Sequence, residues 1–228
     1  RVLTGGSTGG WEALALQVFH PAFFNGAWVF YPDPVDFRRY QMSNIYEDDN
    51  AFEVPAGEWA KLVRPLSRTA DGQVTLTMRE MSRLESVLGS RERSCQQLAA
   101  WEAAYGPVGP DGYPKALWDP FTGKIDREVA FYMRDHGYDL RENLERNWPR
   151  IGKDLVGKIR AYVGDMDNYY LNLAVYLLQE FLDGTTEPKA EAVFEYGRPT
   201  KGHGWQPMSN ADLVREMARR IEATSPKR

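Results

Sequence analysis

Val2-Leu3-Thr4-Gly5-Gly6-Ser7-Thr8-Gly9-Gly10-Trp11 is the stretch on which the fold turns. Its first three residues are apolar or β-branched and read as a short strand. The glycines that follow read as a tight turn. Beyond them Trp11, Leu14, Ala15 and Val18 recur at helical spacing until Pro21 closes the helix. Ala27-Trp28-Val29-Phe30-Tyr31 comes next, a continuous apolar run between Gly26 and Pro32, as expected of a strand buried on both faces. Strand, turn, helix, strand is the opening of a parallel α/β sheet.

The far end of the chain repeats the alternation. Ile159 to Val163 reads as a strand ending at Gly164. Asn168 to Asp183 reads as an amphipathic helix with Leu171, Ala174, Val175, Leu178 and Leu182 on one face and Gly184 as its stop. Ala190 to Tyr196 predicts another strand. Ser209, with Asp212 at the capping-box position, opens a last helix carrying Leu213, Met217 and Ile221. The tail after Ala223 is polar and expected to fray.

The middle is different in character: polar, rich in Pro and Gly, and carrying most of the charge. Val74, Leu76 and Met78 alternate as a strand would. Leu84 to Leu88, Leu98 to Tyr105 and Asp126 to His136 predict helices, and Tyr105 to Pro120 an ordered loop. Asp139-Leu140-Arg141-Glu142 is a capping box opening a helix that ends before Pro149. The organisation expected is therefore a core of 1–36 and 156–228, interrupted by a mostly helical insertion or lid over 37–155.

Composition narrows the function. The 228 residues are 43% hydrophobic and 26% charged with a formal net charge of -4, and basic residues are interleaved with acids. That argues against a nucleic-acid partner, which needs clustered Lys and Arg. No apolar run approaches the ~20 residues of a membrane span. The single cysteine, Cys95, excludes an internal disulfide framework and leaves the compartment open. The opening Arg1-Val2-Leu3 reads as a cut inside a strand, so any targeting segment is expected upstream.

Gly5-Gly6-Ser7-Thr8-Gly9 matches G-x-S-x-G, with a strand before and a helix after. So sharp a turn forces strained dihedrals on the serine and lifts its oxygen above the sheet. The N–H of Thr8, at the helix N-terminus, is then aimed where an oxyanion would develop. A P-loop requires G-K-[ST], and no lysine follows these glycines.

A serine nucleophile needs a base. Of three histidines, His20 and His136 stand at helix ends and read as structural. His203 stands in the loop Thr200-Lys201-Gly202-His203-Gly204-Trp205 after the last strand. The acid is expected from Gly164-Asp165-Met166-Asp167-Asn168, with Asp167 ahead of Asp165. Asp33 and Asp36, one strand earlier, are alternatives better suited to shaping the pocket. Trp11, Tyr31, Asp33 and Trp205 are candidates for a substrate pocket. The order Ser7, Asp167, His203, each after its own strand, suits acyl transfer on a small-molecule ester or acyl substrate, with no metal or organic cofactor required. A peptidase or acyltransferase on the same triad, or a binding domain that kept only the fold, stays open on these residues.

These motifs, with Phe19-His20-Pro21, Phe23 and Phe24 after the turn, resemble the esterase D/enterochelin-esterase-like group of α/β-hydrolases over 1–36 and 158–223. The resemblance implies the C-terminal half of an α/β-hydrolase, with a serine esterase activity. It also implies that a second oxyanion donor lies on an earlier strand, so this piece alone is expected to be the weaker catalyst. The length of the middle segment departs from the group, and the substrate class is not carried over.

Overall fold

The computed structural model describes residues 1–224; the expectation for the polar tail beyond them lies outside the described residues. The chain forms two compact units, one of Arg1–Asp36 with Leu140–Arg228 and the other of Phe37–Asp139.

The first unit opens with β1 (Leu3–Gly6), α1 (Thr8–Phe19) and β2 (Ala27–Phe30). In the second unit follow β3 (Glu53–Pro55), β4 (Lys61–Val63), β5 (Pro65–Arg68), β6 (Val74–Thr77), α2 (Met78–Leu88), α3 (Gln97–Tyr105) and α4 (Arg127–Asp135). The chain returns to the first with α5 (Leu140–Ile151), β7 (Ile159–Gly164), α6 (Asn172–Gly184), β8 (Val193–Gly197) and α7 (Asn210–Thr224).

The first unit is mixed α/β, built on a four-stranded sheet ordered β1-β2-β7-β8 with every neighbouring pair parallel. β2 is buried along its whole length, as its unbroken apolar run requires, and edge strand β8 alternates instead. Strand alternation sends Trp28, Phe30 and Tyr162 to one face, where Leu213, Met217 and Trp205 pack on them. Glu216 holds α7 there by accepting from Trp28 Nε1 at 2.9 Å and pairing with Arg160 at 3.4 Å. α1, α5 and α6 pack as neighbours, α1 against β1 and β2 and α6 against β7. Burial and the neighbouring charge of Glu216 push the Tyr162 hydroxyl up to about 12.

The second unit has its own core. Tyr40 lies edge-on to Phe37, Trp101 and Trp118, and all four are buried. Its aromatics are thus used in packing. Two short antiparallel hairpins, β3–β4 and β5–β6, accompany its three helices, so it is less helical than the sequence suggests. α2 begins on a Thr77–Glu80 capping box, which takes Met78 into the helix instead of the strand; Asp126 caps α4.

Several boundaries differ from expectation; β8, for one, begins at Val193 and not at Ala190. The second unit closes at Asp139, not at 155, because α5 packs with α1 and α6. Arg141 fixes that join: its N–H donates to Val35 O at 2.9 Å and its guanidinium meets the fully buried Asp36 at 3.0 Å. α5 also runs through Pro149 to Ile151, since a proline in the last turn forfeits little of the helix ladder. α6 starts at Asn172, four residues late, because Asp167 ties the intervening residues into a turn. No helix among the described residues is long and apolar enough to cross a membrane.

Candidate active site

Ser7, Asp33, Asp167 and His203 each follow the carboxyl end of a parallel strand, where open α/β sheets leave room for ligands. Ser7 follows β1 at φ 56° and ψ −125°, a conformation L-residues rarely adopt. The turn is possible because a Cβ on Gly5 would lie 2.0 Å from the Gly9 carbonyl oxygen. Gly9 itself has nothing within 4 Å of such an atom, so only the first glycine of the motif is sterically required. Thr8 is the first residue of α1, and its backbone N–H is among those that a helix leaves without an intrahelical acceptor.

His203 and Asp167 come together. His203 Nδ1 is 2.8 Å from Asp167 Oδ2, and the Asp167 carboxylate is fully buried. Oδ1 of the same carboxylate accepts from the N–H groups of Tyr169 at 2.9 Å and Leu171 at 3.3 Å. A carboxylate facing Nδ1 places the imidazole proton there and leaves Nε2 an acceptor.

Asp165 does other work. Its Oδ1 accepts from Lys201 N–H at 3.1 Å, Met166 N–H donates to Lys201 O at 3.0 Å, and Asn168 Oδ1 accepts from His203 N–H at 2.7 Å. The acid loop thereby grips the histidine loop along its length. Gly164 permits the approach, since a Cβ there would sit 2.1 Å from Lys201 O.

Ser7 does not join that pair directly. Its Oγ donates to Asp33 Oδ1 at 3.3 Å, and no hydrogen bond links Ser7 to His203 among the described residues. Asp33 is buried, accepts from Thr8 Oγ1 at 2.7 Å and donates its own N–H to Ser7 O at 3.2 Å. Composition and spacing could not disclose this contact, which spans 26 residues of sequence. The only signal was a carboxylate shortly after a strand end.

Tyr31 lies between the two halves of the site. Its ring is the group that a Cβ on Gly6 would strike, at 2.6 Å, and it meets the His203 ring edge-on at 4.7 Å between centroids. Tyr169, which the sequence did not single out, meets the same imidazole edge-on at 5.0 Å. Trp11 is buried in α1, and Trp205 packs on Gly197 and the Trp28 cluster, so burial and packing occupy both indoles. His20 caps α1 through its N–H to Leu16 O; His136 stacks on Tyr132 in the second unit.

No family model and no curated protein matches this chain.

Proposed function

We propose that the chain is part of an α/β-hydrolase that cleaves carboxylic esters through an acyl-enzyme on Ser7, with Phe37–Asp139 an insertion between core strands. The observation that carries this reading is the 2.8 Å contact of His203 Nδ1 with buried Asp167, on loops that leave the same end of the parallel sheet as a serine held in a strained strand-to-helix turn.

His203 Nε2 takes the proton from Ser7 Oγ as the oxygen attacks the ester carbonyl. Asp167 keeps the ring in the receptive tautomer and stabilises the imidazolium that forms. The Thr8 N–H, aided by the positive end of α1, donates to the developing oxyanion. Proton return from His203 to the alkoxide expels the alcohol and leaves the acyl-enzyme. Water, deprotonated in turn by His203, releases the acid. Thr8 Oγ1, which shares the Asp33 carboxylate with Ser7 Oγ, and Tyr31, which meets the His203 ring, belong to the acyl pocket.

A fluorophosphonate tests the reading on the full chain. The expected result is a single adduct on Ser7, absent in Ser7→Ala. A folded chain that takes up no probe is instead a hydrolase scaffold without the activity.

A further inference from the structure

In the resting structure the hydroxyl of Ser7 donates to a carboxylate, Asp33, and not to the imidazole of His203. A serine hydroxyl carries one proton. Here that proton points at Asp33 Oδ1, 3.3 Å away, while His203 Nε2 is left without it. The bond is long for O–H···O, whereas the Thr8 bond to the other oxygen of the same carboxylate is 2.7 Å. Asp33 is thus held firmly by its own N–H and by Thr8, and holds Ser7 lightly.

We propose that Asp33 is a latch: a positioning residue that parks the Ser7 hydroxyl away from His203 until a bound substrate turns it. This rests on the serine-hydrolase reading. Two effects follow from the carboxylate. It competes with the imidazole for the serine proton, and its negative charge disfavours the oxyanion that attack creates nearby. Both slow the resting enzyme. An asparagine at the same place reverses the first effect. Its carbonyl serves Thr8, and its amide then donates to Ser7 Oγ, so the serine proton is released toward His203.

The test is the rate of fluorophosphonate labelling of the full chain, in which the Oγ–P bond forms, the P–F bond breaks, fluoride leaves and the serine proton passes to His203. Asp33→Asn and Asp33→Ala are compared with wild type by rate constant, corrected for the folded fraction at the labelling temperature, and by Tm. The latch predicts labelling ~3–10-fold faster in both variants, even where Tm falls, the factor that one ordinary hydrogen bond is worth. A brace without a latch would lower rate and Tm together. Wild type labelled, with the variants equal or slower, overturns the latch and leaves the hydrolase reading standing. No labelling in any folded chain overturns both. Should neither variant fold, a wild-type crystal structure decides: Ser7 Oγ on Asp33 supports the latch, and Ser7 Oγ on His203 Nε2 overturns it.

Discussion

His203 Nδ1 and Asp167 Oδ2 face each other at 2.8 Å, and the carboxylate accepts two further backbone hydrogen bonds from the turn that precedes α6. The acid is therefore fixed before the histidine reaches it. Asp167→Asn would keep the shape and present an amide whose NH2 can face Nδ1, which inverts the tautomer. Ester turnover and labelling are expected to fall by about 10³–10⁴ with Tm nearly unchanged, read by steady-state kinetics beside thermal melts. Asp165→Asn, whose carboxylate faces Lys201 N–H and not the ring, is expected to cost far less.

The two glycines of the motif are expected to behave oppositely. Gly5→Ala drives a Cβ against the Gly9 carbonyl at 2.0 Å, and should lower stability by ~1–3 kcal/mol or more. Gly9→Ala meets open space inside a helix and should raise it by ~0.5–1 kcal/mol. Urea unfolding of the two variants checks both signs.

Arg141 and Asp36 form an ion pair with side chains 8% and 0% exposed, so removing one partner strands charge in a dry place. Arg141→Met is expected to destabilise the first unit by about 3–5 kcal/mol. Combined with Asp36→Asn, the loss should be smaller than the sum of the single losses, which a double-mutant cycle measures.

Glu102, in the second unit, carries a carboxyl held well above its ordinary value of 4.5, first by burial and then by neighbouring Glu92, against the Leu117 N–H that favours its charge. The folded chain keeps this proton where the unfolded chain has lost it. Its contribution is full below 4.5 and is lost as pH rises through the raised folded value, with a slope of at most ~1.4 kcal/mol per pH unit. Glu102→Gln should flatten that decline and melt higher than wild type at neutral pH, as thermal scans across the range will report.

Much of the first unit was legible because its signals are local. A continuous apolar run marks β2, a glycine turn marks the join of β1 and α1, and Ser209 with Asp212 marks the start of α7. The nearness of His203 to Asp167 follows from strand order, since β7 and β8 are adjacent and their loops leave from the same end. What stayed hidden depends on contacts distant in sequence. The Ser7–Asp33 bond, the packing of Trp205 on Gly197 and the tie of Val35 to Arg141 leave no periodic trace. In the second unit β6 was legible in the alternation of Val74 and Leu76, whereas β3, β4 and β5 were missed because their three or four residues carry no such alternation.

The bond from Arg141 N–H to Val35 O makes a narrow neck where the chain departs the first unit and where it comes back. A segment whose two ends already meet can lengthen, shrink or be exchanged as a cassette without pulling on the sheet that hosts it, because each doubling of such a loop costs only ~0.6 kcal/mol of closure entropy. Changes of length between those two residues are therefore expected to leave the spacing of the residues beyond the strand ends as it is.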